Sequence, residues 1–176
     1  MNLRHGAGKY KMKDGSYYEG DWQNNMRCGR GTMCWADGSV FEGQWRKNER
    51  HGQGVLTASD GFRYEGQWAN NCMEGRGVAD YRNGPKGKVI QRYEGLWHNG
   101  RREGRGTVVF IDAQASYEGR FKNDKIEGQG TLKMDGATKT SYSDKPDSEC
   151  DWLIPVEFQS DLAHILSKAG FTSHGE

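Results

Sequence analysis

Five histidines, four cysteines and 24 acidic side chains are the groups in this chain that could make a catalyst or a metal centre. Catalysis needs a nucleophile, a base and an orienting group that converge. His5, His51, His98, His164 and His174 are instead scattered over turn-like segments, a helical pattern and the tail. His5, Cys28 and His51 do recur at equivalent places, which raises His-Cys-His metal ligation. Equivalent places in successive hairpins lie two strands apart, about 9 to 10 Å, whereas zinc holds ligands at about 2.0 to 2.3 Å, so only a second chain could complete such a site. Gly-x-Gly strings resemble phosphate loops, but a phosphate loop must open a helix and no helical period follows any of them. Glu19, Glu42, Glu65, Glu94 and Glu118 recur as a column. Catalytic carboxylates do not come as a periodic column, and pairing with Arg30, Arg76 and Arg105 is the simpler expectation. These residues therefore predict no enzyme, no metal and no cofactor.

The composition narrows the remaining classes. The 176 residues include 26 glycines together with six Trp, eight Tyr and six Phe. Glycine without a Gly-X-Y period excludes collagen, and so many aromatics argue against disorder. A net charge of +1 supplies no field to recruit nucleic acid or an anionic membrane. Cys28, Cys34, Cys72 and Cys150 show no CxxC spacing, and no apolar leader opens the chain, so a reduced, cytoplasmic setting is expected. The longest apolar runs, Val108 to Ile111 and Trp152 to Val156, fall far below the roughly 20 residues that span a bilayer.

What positions the remaining side chains is a repeat. The strings Tyr18-Glu-Gly-Asp-Trp22, Phe41-Glu-Gly-Gln-Trp45, Tyr64-Glu-Gly-Gln-Trp68, Tyr93-Glu-Gly-Leu-Trp97 and Tyr117-Glu-Gly-Arg-Phe121 start at intervals of 23, 23, 29 and 24 residues. Each is followed in constant phase by Gly-x-Gly, at Gly29/Gly31, Gly52/Gly54, Gly75/Gly77, Gly104/Gly106 and Gly128/Gly130. Period-two alternation puts Tyr18, Gly20 and Trp22 on one strand face with Glu19 and Asp21 on the other. Residues 23 to 28 are read as the turn. A second strand follows, whose apolar face carries Tyr10, Met33, Leu56, Val108 and Leu132 in successive units. Asp14-Gly15, Asp37-Gly38, Asp60-Gly61 and Asp135-Gly136 then close it with a tight turn. Asp112-Ala113 breaks that rule, and Asn83-Gly84 opens a longer link. The pattern predicts an all-β, elongated, twisted single-layer antiparallel meander of tandem hairpins. Glycines so regularly interleaved with large aromatics predict rings lying over glycine backbone.

This combination resembles the membrane occupation and recognition nexus, or MORN, repeat, with one partial and five full repeats over residues 1–136. The residues then predict a non-catalytic interaction scaffold, because one meander leaves an apolar face with little other chain to bury it. The expected partner groove comprises Tyr18, Trp22, Met33, Phe41, Trp45, Leu56, Tyr64, Trp68, Tyr93, Trp97, Val108, Tyr117, Phe121 and Leu132, receiving a helical protein segment or a second copy of the chain. The resemblance implies cytoskeletal, ciliary or membrane-proximal assembly. It also leaves open a phosphoinositide or membrane-lipid module, or the repeat region of a larger enzyme. Lys86, Lys88 and Arg92 form a possible anionic-partner loop, fewer than the four to eight cations typical of lipid-reading clusters.

The ends depart from the repeat. Asn2 to Gly8 matches Asn25 to Gly31 without a preceding aromatic string, so an upstream half-repeat is expected to be missing. Residues 137–151 read as a linker or irregular last strand. Residues 152–176 read as a short C-terminal capping or docking helix and tail, with Leu162, Ile165 and Leu166 on its apolar stripe.

Overall fold

The computed structural model describes residues 3–134 and 137–141. They form one twelve-stranded antiparallel sheet in which strand order equals chain order. The strands are β1 (Gly6–Lys11), β2 (Tyr17–Gln23), β3 (Met26–Cys34), β4 (Val40–Arg46), β5 (Glu49–Thr57), β6 (Arg63–Ala69), β7 (Cys72–Arg82), β8 (Val89–His98), β9 (Arg101–Phe110), β10 (Ala115–Lys122), β11 (Lys125–Met134) and β12 (Ala137–Ser141). The single-layer meander is therefore present. The C-terminal helix with Leu162, Ile165 and Leu166 lies outside the described residues.

Two kinds of turn alternate along the chain. The first is a two-residue hairpin whose central residues both have positive φ: Asn24 and Asn25 (49° and 66°), Lys47 and Asn48 (50° and 70°), and Asn70 and Asn71 (49° and 70°). Such turns match the right-handed twist of the strands, and asparagine tolerates the left-handed region better than other non-glycine residues. The turn is thus shorter than the residues 23–28 expected, because β2 runs through Gln23 and β3 begins at Met26. The second kind contains Asp-Gly. Asp14 accepts a hydrogen bond from the Ser16 amide at 3.0 Å, and Gly15 holds φ +93°. The Asp112-Ala113 joint closes differently, with Gln114 at φ 47° where other units place glycine.

Within each aromatic hairpin the register slips. Gly20 faces Gly31, but Asp21 faces Cys28, so Gly29 and Arg30 form a bulge on β3. The slip recurs where Gly43 faces Gly54 and Gln44 faces His51. Gly29 takes φ 58° there, and the residue after the strand glycine secures the bulge: Asp21 accepts from the Arg30 amide at 3.0 Å, and Gln44 from the Gln53 amide at 2.7 Å. Bulges sharpen local twist, and here they occur once per repeat.

The 29-residue interval is absorbed by lengthening one hairpin. β7 and β8 extend to 11 and 10 residues, and the loop between them folds back so that the Gly84 carbonyl and Pro85 sit against Gly61. Arg82 donates to the Gly87 carbonyl at 3.0 Å and holds the loop closed.

Candidate functional site

The aromatic face is built one ring at a time. A side chain added at Gly20 or Gly31 would collide with the Tyr18 ring, and the same relation joins Phe41 to Gly43 and Gly54, and Tyr64 to Gly66 and Gly77. The first aromatic of each string thus lies flat over the facing glycine pair of its own hairpin, as expected from their spacing. The second aromatic stands edge-on between the flat rings of its own unit and the one before. Trp45, for example, lies 5.3 Å from both Tyr18 and Phe41 at interplanar angles of 84° and 89°. The alternation continues through Trp68, Tyr64, Trp97, Tyr93 and Phe121 to Tyr117. Edge-to-face pairs contribute about 0.5–1.5 kcal/mol each beyond burial. The indoles are also satisfied, since Trp45 donates to the Gly31 carbonyl at 3.0 Å and Trp68 to the Gly54 carbonyl at 3.1 Å.

A column of arginines lies on these rings. Arg4, Arg27 and Arg50 place their guanidinium carbons 4.4, 4.4 and 4.5 Å from the ring centroids of Trp22, Trp45 and Trp68. Arg102 stands 5.6 Å from Phe121, while the equivalent positions in the other units are Met73 and Ile126. Each arginine is clasped by the next turn. The Arg27 amide donates to the Asn48 side chain at 2.8 Å, its guanidinium donates to the Asn48 carbonyl at 2.9 Å, and the Asn48 amide returns a bond to the Arg27 carbonyl at 3.0 Å. Arg50 with Asn71 and Arg102 with Asp124 repeat the arrangement. Burial lowers the pKa of Arg27 and Arg50, and it raises that of the Tyr18 hydroxyl to about 12. Tyr18 donates to the Asp21 carbonyl at 3.2 Å, and Tyr64 to that of Gln67 at 2.9 Å.

This geometry changes the role of most residues expected to line a groove. Tyr18, Phe41, Tyr64, Tyr93 and Val108 have no exposed surface, and Trp22, Met33, Trp45, Trp68, Trp97, Tyr117 and Phe121 are no more than 7% exposed. They are the core. Leu56 and Leu132 are partly buried against it. One layer closes over its own rings because the bulged strands bring neighbouring aromatics edge to face and the arginine stems cover them. At β1 to β3, Arg4, Tyr10, Met12, Trp22, Arg27 and Trp35 with their neighbours line an open cleft of about 490 Å³. Tyr10 is 44% exposed.

The opposite face corrects the expected partners of the glutamate column. Arg30, Arg76 and Arg105 register opposite Gln44, Leu96 and Arg120. The ion pairs of the column run instead from Glu19 to Lys9 at 3.0 Å and from Glu65 to Arg63 at 2.7 Å. Lys86 and Lys88 are exposed, but Arg92 lies on β8 and stands 3.6 Å from the Asp80 carboxylate. Among the described residues, no three His, Cys, Asp or Glu side chains group so as to hold a metal ion, and no helix is long and apolar enough to cross a membrane.

The arginine column escaped the sequence reading although its signal was present. Arg4, Arg27 and Arg50 each directly precede His5, Cys28 and His51, whose recurrence did attract notice. The asparagine clasp was equally regular, but its partner lies one repeat away.

No curated protein matches the chain. The family model for the MORN repeat matches residues 1–17, 18–40, 41–63, 64–86, 93–112 and 117–137. Those bounds begin each complete unit on the flat aromatic that covers its glycine pair, and with six repeats over most of its length the chain belongs to the MORN repeat family.

Proposed function

We propose that this chain is a non-catalytic protein-interaction scaffold that seats a helical segment of a protein partner in the cleft over β1 to β3. Repeats of this family are typically protein- or membrane-interaction modules. The observation that carries the reading is the composition of that cleft: Tyr10, Met12, Trp22 and Trp35 supply apolar walls while Arg4 and Arg27 border them. Aromatic and arginine side chains together are the usual anchors of protein interfaces. A helix with one apolar stripe and flanking carboxylates complements both features. Cytoplasmic assembly work, at the cytoskeleton or beside a membrane, accords with the family.

The test is affinity capture with the intact chain and with Trp35→Glu and Met12→Glu, both in the cleft lining, alongside circular dichroism, a solution mass and liposome sedimentation. Both residues are only partly buried, so both variants are expected to fold and to lose the captured protein. Capture unaffected by either substitution, with sedimentation on anionic vesicles, would overturn the scaffold reading in favour of a lipid module.

A further inference from the structure

The clamp that secures the bulge is absent from the β8–β9 and β10–β11 hairpins. Asp21, Gln44 and Gln67 each accept from the amide that follows the bulge glycine, at 3.0, 2.7 and 2.8 Å. A Cβ built on Gly29, Gly52 or Gly75 accordingly strikes the side-chain oxygen of that clamp. Leu96 and Arg120 hold the equivalent positions in β8 and β10, and neither side chain accepts a hydrogen bond. Leu96 fills its slot with a methyl group, 3.1 Å from a Cβ built on Gly104, and stays 39% exposed. The β10–β11 hairpin keeps the same register slip, with Gly119 facing Gly130 and Arg120 facing Glu127, and Gly128 keeps the bulge conformation at φ +67°. A Cβ built on Gly128 meets nothing within 4 Å. The place beside the Gln129 amide where other hairpins seat an oxygen is thus open among the described residues. Its surroundings are cationic. Arg105 and Arg120 register directly opposite each other, an arrangement that costs stability between like charges. Both are exposed and, like Arg76 opposite Leu96 on β7, make no ion pair among the described residues. Glu127 pairs instead with Lys122 at 3.3 Å, and Glu103 accepts from the Asn123 amide at 3.0 Å. Glu94 and Glu118 stand two residues back along their strands, in the neighbouring row.

We propose that the bulge at Gly128 and Gln129 binds, in trans, the carboxylate of an acidic extended segment of another polypeptide. Asp21 is the internal precedent for that ligand, a carboxylate oxygen seated on the amide after a bulge glycine. Backbone N–H groups beside a left-handed residue form anion-binding concavities, and the Arg120 guanidinium adds a charge-assisted bond. The bound carboxylate also relieves the repulsion between Arg120 and Arg105. Leu96 lies three strands from β11, about 14 Å at the usual strand spacing, a span that an extended chain covers in about four residues. Side chains four positions apart in such a segment point the same way. The segment therefore carries an apolar residue four positions from its acid, and that residue rests on Leu96 between Arg76 and Arg105. All of this lies on the polar face, away from the cleft over β1 to β3.

The experiment titrates the isotope-labelled full chain with the peptide Leu-Ser-Gly-Ser-Asp, blocked at both ends, with the same peptide bearing Asn for its Asp, and with inorganic phosphate. Expected are amide shift changes at Gly128, Gln129 and Leu96, with the Asn peptide at least about tenfold weaker. Arg120→Gln supplies the acceptor that Gln44 and Gln67 supply in their own hairpins. It should raise the melting temperature by about 2 to 4 °C and abolish binding, whereas Arg120→Lys, which keeps the charge and adds no acceptor, should retain it. No binding, equal binding of the Asn peptide, binding that survives Arg120→Gln, or shifts confined to the aromatic face would overturn the proposal. So would phosphate saturating the same amides at a lower concentration than the peptide, or contacts in the free chain from residues 142–176 to Gly128. Trp35→Glu should not affect the peptide, so failure at the cleft and failure at the bulge are separable.

Discussion

At the scale of single residues, the repeat is a device for laying a six-membered ring on bare backbone. Gly66→Val sets a branched side chain against the Gly77 Cα, the Arg76 carbonyl and the Tyr64 hydroxyl, of which only the last could move by rotation. A loss of about 3 kcal/mol is expected from such overpacking, and an unchanged midpoint in urea unfolding would remove the stacking argument. The buried hydroxyls predict a second effect. Burial raises the pKa of Tyr18 and Tyr93 to about 12, from an ordinary value of 10.0. The folded state therefore holds these protons more tightly than the unfolded one, so their contribution is complete below pH 10 and is lost as pH rises towards 12. Alkaline titration monitored by tyrosinate absorbance and circular dichroism should show ionisation of these hydroxyls together with unfolding. Early ionisation in a still-folded chain would contradict it.

At the scale of the hairpin, stability resides in the joint between units as much as in the units. Asn48 sits at φ 70° and exchanges hydrogen bonds with Arg27 of the preceding repeat. Asn48→Gly keeps the backbone conformation and loses the side-chain bond, whereas Asn48→Ala loses the bond and also strains the turn. The expected order of thermal stability is wild type, then Gly, then Ala, with about 1 kcal/mol separating each step. Equal melting of all three would show that the clasp is ornamental. The hairpins themselves were legible in the sequence because Tyr64, Gly66 and Trp68 declare a period of two within a period of 23. Closure of their face was not, since Trp45 gains its second ring from Tyr18, one unit earlier. The covering of Trp45 by Arg27 likewise depends on the bulge at Gly29, which slips the register between the two strings. Alternation alone carries no trace of that slip.

At the scale of the whole molecule, twelve strands in chain order at about 4.8 Å spacing give a sheet roughly 50 Å across its ladder direction. Small-angle scattering should therefore report an elongated particle, and a compact, isotropic profile for the monomer would refute the meander. The layout also decides which parts of the expected groove are available. Val108 and Tyr117 lie deep in the array with at most 2% of their surface exposed, while Tyr10 at the β1 edge keeps 44%.

The strict agreement between strand order and chain order makes this molecule a ruler. Excising residues 41–63 would join Val40 to Tyr64 and bring Met33 opposite Tyr64 and Trp68 against Tyr18, each contact replaced by one of the same kind. Among the described residues nothing closes across the two ends, so removing such a unit alters a length, by about 10 Å, and leaves the remaining strand pairings as they were. Length in this architecture can change by whole graduations without redesign of the parts, and whatever two objects such a chain holds apart are held at a distance written in the number of its repeats.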